Sequence, residues 1–165
     1  MNSSKHRFVI GFLLATAAGL SAAGAAGGEI PATVLVLSGS SVNLDNSTRA
    51  LAAGRDGAAI RYAGRVIERN PDRVEAAIAR HNLCLAWMGQ GGVEEAETHC
   101  RFAAAADLGD ARVRRDGDYF VIARRNADGT DTESLQAVLG RNLAAQLERL
   151  NTSRVASSAT LQQTK

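Results

Sequence analysis

Cys84 and Cys100, with His81 one helical turn before the first and His99 adjoining the second, are the residues whose types and spacing best suit chemistry. Two chemistries fit such a set. Two cysteines and two histidines are a legitimate tetrahedral zinc set. Successive helical side chains, however, point about 100° apart, so His99 and Cys100 do not aim easily at one ion. The other chemistry is a Cys84–Cys100 disulfide, which neighbouring antiparallel helices allow because their Cα atoms come within about 7 Å. A bridge closing so short a loop stabilises by roughly 3 kcal/mol in the chain-entropy treatment. The disulfide is the expectation. Buried free thiols, or a metal- or redox-handling role for Cys84 and Cys100 with His81 and His99, are the alternatives. Thiol cycling is the weaker of these, because no C-x-x-C occurs.

Motifs of established catalytic mechanics are missing. The chain has no H-E-x-x-H, no G-x-S-x-G, no G-x-x-x-x-G-K-[ST] and no dinucleotide glycine pattern following a strand. Ser38-Gly39-Ser40-Ser41 has the composition of a linker, and no partner base accompanies it. Asp116-Gly117-Asp118 and Asp128-Gly129-Thr130-Asp131 lack the oxygen spacing and closing Glu of a calcium loop, and read as turns. Arginines 112, 114, 115, 124 and 125 form a basic patch diluted by Asp110, Asp116 and Asp118. The expectation is a protein that is not an enzyme, with no catalytic residues, no cofactor and no metal.

The elements that must position the cysteines read as helices. Ala59, Ile60, Ala63, Val66 and Ile67 fall on one helical face, and Asn70-Pro71 ends that helix because the residue before proline leaves the α region. Residues 73–88 form a longer helix, apolar on two sides and therefore packed on two sides. Gly89-Gln90-Gly91-Gly92 breaks it, and Val93, Ala96, Cys100 and Ala103 begin the stripe of the next. Short connections of this kind join antiparallel neighbours. Leu135, Val138, Leu139, Leu143, Leu147 and Leu150 predict a C-terminal capping helix over 132–150. Val34-Leu35-Val36-Leu37 reads as extended, an ordered strap rather than a strand, since no clear partner strand follows. Tyr119-Phe120-Val121-Ile122 suits either a short helix or a strand. The predicted class is all-α, built of antiparallel helix hairpins with a capping C-terminal helix.

Asn82-Leu83-Cys84, Trp87, Gly91, Glu95-Ala96 and Ala103 resemble one tetratricopeptide repeat in order and spacing. Ala59-Ile60-Arg61-Tyr62-Ala63 through Asn70-Pro71 is similar to the second helix of a preceding repeat. Small residues such as Ala59 and Ala96 let paired helices approach, which is the physical basis of the pattern. The resemblance covers residues 49–106. It implies binding of a protein or peptide along a concave face made by first helices, with Ile78, His81, Leu85 and Met88 lining that face. The same stripe becomes core if the strap or the C-terminal helix covers it. Of the residues by which part of the family grips a carboxylate, only Asn82 has a counterpart.

The chain starts with a basic flank (Lys5, His6, Arg7), an apolar run from Phe8 to Leu20, and the small residues Ser21 to Ala26. These are the parts of a secretory signal peptide, with cleavage expected after Ala25. The apolar run falls short of the ~20 residues that span a bilayer. Lys5 and Arg7 account for the excess of 19 basic over 17 acidic residues, which leaves the mature part neutral. A neutral domain lacks the field for general nucleic-acid binding. The expected organisation is a signal peptide at 1–25, an extended strap at 26–48, the helical domain at 49–150 and a disordered tail at 151–165. The mature protein is expected to be periplasmic or secreted, with no integral membrane segment.

Overall fold

The structure, a computed structural model, describes residues 34–123 and 131–163; the expected signal peptide, the start of the strap and Asp128-Gly129-Thr130 lie outside the described residues. In chain order the elements are β1 (Val36–Leu37), α1 (Val42–Ala52), α2 (Asp56–Glu68), α3 (Arg73–Gly89), α4 (Val93–Ala104), β2 (Arg112–Asp116), β3 (Tyr119–Ile122), β4 (Thr132–Ser134) and α5 (Leu135–Gln163).

The fold is mixed rather than all-α. Four strands form one sheet in the order β1-β3-β2-β4. β2 and β3 make an antiparallel hairpin in which Asp116 faces Tyr119. Gly117, with φ 59°, occupies the first central position of the two-residue turn, where a left-handed residue matches strand twist. β4 runs antiparallel to the other edge of β2. On the far side β1 pairs parallel with β3, Val36 against Phe120 and Leu37 against Val121. The Val34–Leu37 run therefore does have a partner, separated from it by four helices. Its pairing is non-local, and a local reading of the chain leaves it unpaired.

The helices begin and end for identifiable reasons. Asn70 takes φ 52° after α2, a conformation that asparagine tolerates better than most residues. Asp72 then caps α3 by accepting from the Glu75 backbone N–H at 2.8 Å. Gly91, with φ 78°, turns the chain between α3 and α4. α3 is the central helix: it packs against α1, α2, α4 and α5, while α2 and α4 make no substantial contact with each other.

Two boundaries differ from the sequence reading. The strap expected at 26–48 gives way to α1 at Val42, and the helix expected to stop at 150 continues to Gln163. Along α5, Leu135, Val138, Leu139, Leu143 and Leu150 are buried at the expected apolar spacing. They join Ile78, Leu83, Val113, Leu44 and Val36 in one core shared by helices and sheet. A smaller cluster of Ala50, Ala59 and Ala86 lies where α1, α2 and α3 meet, its short side chains permitting close approach.

Candidate functional site

Cys84 and Cys100 are bonded to each other, with Cα atoms 5.0 Å apart and both side chains fully buried. The bond staples α3 to α4. It also uses both thiols, and the two histidines face elsewhere. His81 Nε2 accepts from Asn142 Nδ2 of α5 at 2.7 Å. His99 Nδ1 lies 2.9 Å from an Arg80 Nη1, which can only donate, so the bare nitrogen of His99 is Nδ1. The four residues do not converge on one point.

Ile78 and His81, expected on a binding face, have no exposed surface at all. Asn142 of α5 bonds to His81, and Ile78 lies in the core to which α5 contributes. Neither side chain can touch a partner in this arrangement, so this expectation is corrected for both. Leu85 and Met88 are half-buried, and Met88 packs against the core.

A polar seam crosses the core where the sequence reading placed only apolar packing. Thr48 Oγ1 donates to the Val36 carbonyl at 2.7 Å and accepts from Asn82 Nδ2 at 3.0 Å. Ser47 Oγ donates to the Ala59 carbonyl at 3.0 Å. On the other side of the Asn82–His81 pair, Asn142 bonds to His81, and Gln146 Nε2 donates to Asn142 Oδ1 at 3.4 Å. His81 Nδ1 and Asn82 Oδ1 fall outside hydrogen-bonding geometry with any described group. Burial drives the His81 pKa down to about 4, with the Asn82 side chain working the other way. The seam joins β1, α1, α3 and α5. Asn142 and Gln146 sit i, i+4 on the predicted apolar stripe of α5, and that spacing was the one sequence signal for them.

Two open cavities adjoin on the surface. The larger, about 500 Å³, lies between the start of α3, the turn after α4 and the strands β2 and β4. Its polar walls are internally engaged. Arg112 donates through Nε to Thr132 Oγ1 and through Nη2 to the Thr132 carbonyl, both at 2.8 Å. Arg73 pairs with Asp107 at 3.4 Å.

The smaller, about 350 Å³, is a groove with α3 as its floor and the ends of α2 and α4 as its walls. Ile67 and Pro71 form one wall, Phe102 and Ala106 the other, and Ala76, Ala77 and Arg80 the base. Phe102 is 60% exposed, an unusual setting for a phenylalanine. The Arg80 guanidinium stacks over its ring at 4.9 Å from the centroid. His99 beside it is held below the usual histidine range, first by burial and then by the Arg80 charge, with Glu95 opposing. Among the described residues no carboxylate lies within ion-pairing distance of Arg80. Sequence reasoning missed this groove because its lining residues come from the edges of three helices.

Comparison with known proteins returned no matching family model, no matching curated protein and no matching solved structure.

Proposed function

We propose that this protein is an exported, non-catalytic protein-interaction module built from tetratricopeptide-like helix pairs. The observation that carries the reading is the open apolar groove between α2 and α4, with Phe102 exposed along it. Large apolar side chains displayed beside a concave surface are the usual mark of a binding site. The packing of α1 on α2 and of α3 on α4 through short connections supports the helix-pair resemblance, as does the full burial of Ala59 and Ala96. A binding role suits the titratable groups as well. His81 is sealed in the core and His99 is engaged by Arg80, so neither is poised to exchange protons with a substrate.

Export is supported by the basic, apolar and small-residue start of the chain, and by the Cys84–Cys100 bond, since disulfides persist in oxidising compartments. The periplasm or the extracellular space is the proposed location, and a protein or peptide the proposed partner.

One experiment tests both parts. The full chain is expressed with a photo-crosslinking residue at Ala106, and the exported fraction is irradiated and analysed by mass. The expected result is a chain cleaved near Ala25 carrying a discrete protein adduct, which disappears when Phe102→Glu is added. A chain that stays inside the cell with Lys5 and Arg7 intact would overturn export. Absence of an adduct, or one indifferent to Phe102→Glu, would overturn the binding reading.

A further inference from the structure

We propose that the α2–α4 groove binds an extended segment of another polypeptide carrying an apolar side chain two residues from a carboxylate. The inference rests on the protein-binding reading above and specifies its ligand.

The floor of the groove sets the length. From Arg73 to Arg80 the lining follows α3 for about 10 Å at the helical rise, the span of roughly three extended residues. Within that span the character changes. Near the middle, Ala76 and Ala77 make a smooth base between Ile67 and Phe102, shaped for one aliphatic or aromatic side chain. At the α3-interior end stands Arg80, three or four residues further on and therefore about 5 Å along the axis. An extended peptide places side chains i and i+2 on the same face about 6.6 Å apart. An apolar residue over Ala76–Ala77 thus brings the residue two positions away to the guanidinium.

Charge selects what that second residue is. The Arg80 guanidinium lies over the Phe102 ring, 4.9 Å from its centroid, and donates one hydrogen bond to His99. Among the described residues no carboxylate lies within ion-pairing distance of the guanidinium, and Asp107, which also lines the groove, is paired with Arg73 at the opposite end. A carboxylate on the ligand completes the Arg80 pair with a charge-assisted hydrogen bond. The guanidinium is already fixed by its stack, so little side-chain freedom is lost on binding. The groove is open to solvent, so a bound segment need not end there, and the carboxylate is taken to be that of a side chain within an internal stretch of chain. Ile78 and His81, both fully buried, take no part.

The test uses the purified full chain and an array of N-acetylated, C-amidated peptides. Each carries one Leu or Phe, with Glu, Gln or Lys two residues away, and free-carboxylate versions of the Gln set and vesicles of anionic lipid are tested alongside. Retention of the Glu set is expected to exceed that of the Gln set by about tenfold, with the Lys set weakest. Arg80→Gln should remove the Glu–Gln difference, and Phe102→Ala should weaken all sets, while thermal melts show both variants folded. Equal retention of the Glu and Gln sets, or a Glu preference that survives Arg80→Gln, overturns the proposal. So does retention confined to peptides with a free C-terminal carboxylate, or to vesicles of anionic lipid. If the Ala106 crosslink still forms a Phe102-dependent adduct in those cases, the interaction reading stands and only the ligand chemistry is wrong.

Discussion

Asn142 donates through Nδ2 to His81 Nε2 over 2.7 Å, and this one bond joins the C-terminal helix to the middle of α3 in a setting shut off from water. The bond fixes His81 as neutral with its proton on Nδ1. Protonation would place an N–H against the Asn142 N–H, and turning that amide over would forfeit the bond from Gln146.

Stability should therefore fall with acid in a defined window. The folded pKa of about 4 lies below the unfolded value of 6.5, so the unfolded chain binds the proton more readily between them. The contribution is fully present above pH 6.5, is lost as pH falls toward 4, and changes no further below that. Over the whole window the loss is about 3 kcal/mol at most, at 1.36 kcal/mol per pKa unit. Urea unfolding at intervals of pH measures it. His81→Gln should flatten this window, and an unchanged pH profile in that variant would remove His81 as the cause.

Asn142→Leu is predicted to destabilise by about 1–3 kcal/mol, since it strands the buried His81 nitrogen without a donor. Hydrogen exchange should show faster opening of the amides of α5 than of α2. Uniform loss of protection would mean that Asn142 does not act as a local fastener.

Thr48→Val removes both a donor to the Val36 carbonyl and an acceptor for Asn82 while keeping the volume. About 1–3 kcal/mol should be lost. The amide of Phe120, bonded to the Leu35 carbonyl at 2.8 Å, should exchange more rapidly as β1 loosens. Protection unchanged at Phe120 would disconnect the hydroxyl from the strand.

Reduction of the Cys84–Cys100 bond should cost roughly 3 kcal/mol, the entropic value for so short a loop. Both sulfurs are buried, so the native protein should resist thiol reagents until denaturant is added. Treatment with a thiol reductant, with and without urea, followed by alkylation of the thiols released at Cys84 and Cys100 and by mass, checks this. Rapid labelling in buffer would show that the hairpin opens locally.

Gly91→Ala forces a side chain into φ 78° and should destabilise by about 1–2 kcal/mol, even though the space beside it is open. A thermal melt suffices, and a neutral result would mean that the turn relaxes.

The helices were legible because their information is local. The stripe from Leu135 to Leu150 and the stop at Asn70-Pro71 can each be read within a few residues. Cys84 and Cys100 were equally legible, since one helix hairpin brings them together. The sheet was not. Val36 pairs with Phe120 across four intervening helices, and no short window contains both. The buried polar seam was hidden for a different reason: Asn142 and Gln146 look like solvent-facing interruptions of an apolar stripe until α3 supplies His81. The groove was illegible because α2 and α4 had to stand apart across α3 for Arg80 and Phe102 to border an opening.

The parallel pairing of Val36 with Phe120 also sets an order in time. Each helix pair can form from neighbours in the chain, and such contacts close quickly. The β1–β3 seam must wait until β3 has emerged and the large intervening loop has closed, at a cost in chain entropy that grows with loop length. During that interval β1 offers unpaired backbone groups, and β3 presents a bare edge to any other strand nearby. Refolding should thus proceed in two kinetic stages, with helical signal recovered first and protection of the Phe120 amide last. The interval between those stages is the one in which a chaperone would have most to contribute.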